Sequence, residues 1–156
     1  MDWNVRPGIG LGDLRFGSSR DAVAGRLGDP DDIDEDLDGP DPHVAWEYEN
    51  LGLTAYFDGG EDFRLSSLKI ESEDAELCGH RLVGQPEALV RAILGGLDLG
   101  RSEFELLEFA DHPTLGWLRY DEQGLGFWFQ DGRLDAIDWG PLIGPDDDFL
   151  WPGDAG

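Results

Sequence analysis

The sequence predicts an α+β fold: two repeated helix-plus-antiparallel-hairpin units that form one sheet, covered by helices on one face. Three observations lead there. First, "GLTAYFDGGEDFRLSSLKI", starting at Gly52, and "GLGFWFQDGRLDAIDW", starting at Gly124, share a Gly-Leu opening, an aromatic pair, a Gly-containing turn and an Arg-Leu return. Second, the block ahead of each hairpin also recurs. A shift of 67 sets Gly79 on Gly12, Gly84 on Gly17, Val90 on Val23, Leu94 on Leu27 and Gly95 on Gly28, and a shift of 72 sets Tyr120 on Tyr48 and Phe129 on Phe57. Matches in the same order at nearly one offset point to internal duplication. Third, the apolar runs alternate with period two, and their connections are too short for parallel crossovers, so the strands are antiparallel. The expected layout is a single domain over residues 1–156, with repeats at about 8–72 and 75–140 and a short acidic C-terminal tail.

In chain order, Leu11 to Phe16 reads as a short apolar strand ending in a Gly17 turn. Ser18 or Ser19 offers an N-cap oxygen, Asp21 suits the positive helix end, and Gly28 and Pro30 close the helix. Residues 29–42, "DPDDIDEDLDGPDP", form a Pro- and Gly-punctuated acidic loop with no strand character. "HVAWEYE", "LTAYF" and "RLSSLKIES" are strands, the first with Val44, Trp46 and Tyr48 on one face. In the second half, Pro86 suits a first helical position, and Leu89, Val90, Ile93 and Leu94 form an apolar stripe. "EFELLEF", "LGWLRYD", "LGFWF" and "RLDAIDW" follow, for seven or eight strands in all.

Charge sets the boundaries on function. The 156 residues carry 35 acidic and 11 basic side chains, a net charge of −24, and a single lysine, Lys69. Such a field repels nucleic acid and anionic membrane and speeds encounter with basic proteins. With 40% hydrophobic residues the chain can bury a core. Cys78 is the only cysteine, so an internal disulfide is excluded. The first residues lack a basic segment followed by an apolar one, and the expected location is the cytoplasm.

The block "GLGDLRFGSSRDAVAGRLGDP" resembles the helical opening of domains related to β-lactamase inhibitor protein and outer-membrane assembly lipoproteins. It is also similar to the start of small cytosolic bacterial proteins found beside polymorphic toxins, some of them immunity proteins. The resemblance implies a tandem of helices packed on a sheet and a role in binding another protein. The matching positions are cap and turn residues, so the resemblance transfers no site residues.

Candidate chemistry is sparse. Asp34, Asp36, Asp38 and Gly39 match the first half of a calcium loop, but its closing Glu position is Ala45 and Pro40 and Pro42 interrupt it. Cys78 and His80 would share one face of a strand, but His43 and His112 lie on other segments, and one pair is too little for zinc. No Gly-x-Ser-x-Gly elbow marks a nucleophile. Expected cofactors and metals are none. The aromatics carry more information: in "GFWF", Trp128 points away from its neighbours, so it either anchors an interface or joins a second small core under the tail, with Phe149 and Trp151 folding back. The expected function is therefore that of an immunity-type inhibitor, not an enzyme, which neutralises a basic protein such as a cognate toxin by occupying its active cleft. The expected partner-binding residues are Asp31, Asp32, Asp34, Glu35, Asp36, Asp38 and Asp41 for steering, with Trp128 as anchor. The competing expectations are a structural domain whose acidity serves solubility, and a small hydrolase or calcium-binding protein.

Overall fold

A computed structural model describes residues 2–109, 112–144 and 148–152. Three two-residue strands, β1 (Val5–Arg6), β2 (Gly10–Leu11) and β3 (Leu14–Arg15), open the chain, followed by α1 (Arg20–Leu27). A meander follows: β4 (Asp32–Asp36), β5 (His43–Tyr48), β6 (Leu53–Asp58) and β7 (Arg64–Ile70). A small hairpin, β8 (Glu76–Leu77) and β9 (His80–Arg81), leads to α2 (Glu87–Gly95). The second meander is β10 (Glu103–Phe109), β11 (His112–Tyr120), β12 (Leu125–Gln130) and β13 (Arg133–Trp139), and a last hairpin pairs β14 (Leu142–Ile143) with β15 (Phe149–Leu150). The two meanders join through β13 and β7 into one eight-stranded antiparallel sheet in the order β10-β11-β12-β13-β7-β6-β5-β4.

This architecture corrects the expected fold class. The molecule is mostly β, and its units are four-stranded meanders rather than helix-plus-hairpin repeats with helices covering a sheet. Dimensions explain why. Seven spacings of about 4.8 Å make the sheet about 34 Å wide. The helices have 8 and 9 residues, hence lengths of about 12–14 Å. Neither spans the face it packs on. α1 buries only Val23 and α2 only Val90 and Leu94. The rest of that face is closed by the small strands and connections: Val5, Leu11, Leu14, Phe16, Leu77, Leu82 and Val83 join one continuous core with Phe57, Phe127, Phe129 and Trp139. The Trp139 indole N–H donates to the Gly10 carbonyl at 2.9 Å, which fixes the N-terminal strands over the sheet. The single strand expected from Leu11 to Phe16 is thus a turn between two short strands.

Residues 29–42 hold a second correction. Asp32–Asp36, expected within a loop, is the edge strand β4, paired with β5 from Asp32↔Glu47 to Asp36↔His43. Every residue of β4 is exposed. An edge strand lacks one neighbour, so alternate carboxylates stay hydrated there and discourage a further strand from adding. The cap expectations at α1 match the structure: Ser19 accepts from the Ala22 N–H at 3.1 Å, and Gly28, at φ 84°, donates to Ala24. Pro86 precedes α2 rather than starting it.

Two bulges lie on the partner strands of the aromatic runs, and the aromatics themselves alternate between the faces. The register shifts at Tyr56/Phe57 against β7 and at Trp128/Phe129 against β13. In the first bulge the extra residue is Ser66, whose hydroxyl donates to the Arg64 carbonyl at 2.7 Å and accepts the Asp58 N–H at 3.0 Å. Phe57, Phe127 and Phe129 are buried, while Tyr56 and Trp128 lie on the opposite, outer face and are only partly covered.

An outer face with an acidic edge and a tryptophan-lined cleft

Strand pairing lays one row of residues across the whole outer face: Glu103, Arg119, Gly126, Asp138, Lys69, Thr54, Glu47 and Asp32, each opposite the next. Opposite partners in a sheet sit about 5 Å apart, so these groups interact directly. Arg119 bonds Glu103 at 2.8 Å, and Lys69 sits 3.7 Å from Glu71. Acidic groups dominate the β4 end, where Asp32, Asp34 and Asp36 alternate onto this face.

The adjoining row runs Glu105, Trp117, Trp128 and Ala136. Trp117 and Trp128 stack with centroids 4.9 Å apart and planes 10° off parallel, and the Arg119 guanidinium lies 4.5 Å from the Trp117 ring. The Trp128 indole N–H donates to the Asp138 carboxylate. Burial pushes the Asp138 carboxyl above its ordinary range, while the Trp128 bond and the charge of Lys69 hold it back. Burial also raises Tyr56, reinforced by Asp138, Glu47 and Glu71.

Gly126 supplies the opening. A Cβ there would stand 2.6 Å from Asp138 Oδ1 and 2.9 Å from Trp117 Nε1, so glycine leaves room for both groups where they are. Above it lies a cleft of about 560 Å³, walled by Trp117 and Arg119, by Asp121 and Glu122 from the β11–β12 turn, and by Leu142, Ile143 and Leu150 from the last hairpin. Trp117 Nε1 and Arg119 Nε are buried there without a hydrogen-bond partner among the described residues.

The expected site residues divide. Asp32, Asp34 and Asp36 form the outer side of β4, and Glu35 is exposed on its other side. Asp38 and Asp41 sit in the exposed β4–β5 connection. Asp31 has structural work: its carboxylate accepts the Glu49 N–H at 2.7 Å, and its own N–H donates to the Glu47 carbonyl at 2.8 Å. Trp128 shares the outer face with the aspartates, five strands from β4 and so about 24 Å away. The structure adds Trp117, Arg119, Gly126 and Asp138. Their sequence signals were a glycine inside a strand and period-two alternation carried across three strands.

The calcium-like spacing of Asp34, Asp36 and Asp38 is the alternation of a strand running into its turn. Among the described residues, no group of three or more His, Cys, Asp and Glu is placed to hold a metal. Cys78 and His80 do not share a strand face, because Cys78 and Gly79, at φ 51° and 84°, form the turn between β8 and β9. His112 lies in β11, and its side chain is outside the described residues. Trp151 folds back against Gly17 and beneath the Arg64 guanidinium, 4.3 Å from its ring. Residues 153–156, the end of the tail, lie outside the described residues. Among those described, no helix is long and apolar enough to cross a membrane.

No family model matches this chain, and neither a curated protein nor a solved structure does.

Proposed function

We propose that this chain is a protein-binding module, an immunity-type inhibitor that neutralises a basic partner, such as a toxin or an enzyme, by occupying its active cleft. The observation that carries the reading is the composition of the outer face: a carboxylate-rich edge at β4 and stacked tryptophans about 24 Å away on the same surface. A standard interface covers about 800 Å² per partner, a disc about 32 Å across, so one partner reaches both ends. The net charge of −24 selects for basic surfaces and steers them in. The partly buried tryptophans are the kind of rigid aromatic that anchors an interface core.

The two ends have separable kinetic roles. Rim charges set the association rate, and desolvated aromatics set the dissociation rate. The test begins with capture of the partner from the source cells and measurement of its catalytic activity with and without this chain. The expected partner is basic and loses activity at one-to-one stoichiometry. Changing Asp32, Asp34, Asp36 and Asp38 together to Asn is expected to slow association about tenfold at low salt and to flatten its salt dependence, with stability moving by less than about 0.5 kcal/mol per site. A partner that keeps full activity in the complex, or equal association rates for the two chains at low salt, would reject the reading.

A further inference from the structure

We propose that the cleft above Gly126 is a socket for an arginine side chain of the basic partner, with Asp138 as its carboxylate floor and the last hairpin as its apolar wall. The inference rests on the functional reading above and gives the partner's anchor a chemical identity.

Charge argues first. Four ionisable side chains line the cleft: Asp121, Glu122, Asp138 and Arg119. Arg119 is already paired with Glu103 at 2.8 Å, so the cleft presents uncompensated negative charge. Lys69 faces Asp138 across the sheet on the side away from Gly126, and its ammonium pairs with Glu71. The free requirement of the cleft is a cation.

Shape and hydrogen bonding narrow the cation. Asp138 uses Oδ2 to accept the Trp128 N–H, and Oδ1 borders the Gly126 notch. A planar guanidinium presents several donors to such a carboxylate and to the neighbouring acids at once, which an ammonium on a flexible stem does less well. Leu142, Ile143 and Leu150 offer apolar surface for the aliphatic stem, and Ile143 and Leu150 are otherwise 62% and 53% exposed. An arginine residue brings the planar donors and the aliphatic stem together. The volume, about 560 Å³, lies within the range of clefts that hold small ligands.

The test uses the full chain and N-acetyl-L-arginine N-methylamide as probe, followed through the indole N–H resonances of Trp117 and Trp128. The neutral isostere N-acetyl-L-citrulline N-methylamide is the control. Saturable shifts of both indole resonances with the arginine probe, and affinity at least tenfold weaker for citrulline, are expected. Asp138→Asn should weaken arginine binding at least tenfold while the remaining resonances report an unchanged fold. Ile143→Lys, at an exposed position on the mouth, should weaken it independently by placing a competing ammonium there. Absence of saturable shifts overturns the socket, as does equal binding of citrulline or indifference to both substitutions. If the socket fails while the four-aspartate variant still slows association with the basic partner, the interface stands and only its anchor is reassigned. If the probe behaves as expected but the captured partner keeps its activity, the arginine site stands without the inhibitor role.

Discussion

Asp138 is the residue on which stability and recognition oppose each other. It is a carboxylate on a sheet face, partly covered by Trp128 and raised above its ordinary titration range by burial. A carboxyl whose folded pKa lies above its unfolded one favours the folded chain when protonated. That contribution is complete below the unfolded value and is lost as pH rises through the folded value. At neutral pH the charged form therefore costs stability. Asp138→Asn removes the charge and keeps an oxygen for the Trp128 N–H, so it is expected to raise the melting temperature at pH 7. The gain should shrink toward zero as pH falls through the carboxylate range, where the native side chain is neutral too. Thermal melts of both chains across that range check it. A lower melting temperature for the Asn variant at pH 7 would show that the charge stabilises the sheet through Lys69 instead. The expected pairing of higher stability with weaker arginine binding is the trade-off of a binding site kept at the expense of the fold.

At the scale of elements, the β8–β9 hairpin offers a clean test of turn chemistry. Cys78 occupies the left-handed region at φ 51°, followed by Gly79 at φ 84°, which is the backbone of a tight turn that favours Asn-Gly. A side chain with no way to bond locally costs about 1 kcal/mol there. The cysteine is exposed, so replacing it forfeits no packing. Cys78→Asn is expected to stabilise by about 0.5–1 kcal/mol, read as a higher urea midpoint at unchanged slope. An unchanged or lower midpoint would mean that the turn is held by its surroundings rather than by its own residues. This hairpin was itself misread in the sequence, where Cys78 and His80 were expected on one strand face. The α1 caps and every strand of the two meanders except β4 were legible, because cap chemistry and period-two alternation are local. Coverage was not legible. Helix existence is local, but whether an 8-residue helix can roof a sheet about 34 Å wide depends on strand count and on segments such as 5–16 and 75–83 folding across it. The acidic β4 was missed because charge at alternate positions looks like a loop until an edge position makes it permissible. For the site, Trp128 and the β4 aspartates were readable singly. Asp138, Trp117 and Gly126 were not, since only cross-strand register brings them together.

For the whole molecule, the question is what a net charge of −24 does to a fold of this size. Six ion pairs join described residues, and all lie at the surface, where each contributes little. With 35 acidic groups and 11 basic ones, most carboxylates face others of the same sign. Compaction brings them closer, so the folded state carries self-repulsion that the extended chain relieves. Salt screens this: the Debye length falls from about 30 Å at 0.01 M to about 3 Å at 1 M. Raising sodium chloride over that range is therefore expected to raise the melting temperature, by several degrees if the relief amounts to about 1–2 kcal/mol. The complex with a basic partner should respond with the opposite sign, since the same screening removes the steering that draws the partner in. Opposed salt dependences of stability and association, measured on one preparation, would show the acidity to be a cost to the fold that binding turns to use. A melting temperature that is flat or falls with salt would overturn that view, because the carboxylates would then already be hydrated too well to repel, and their number would reflect solubility alone.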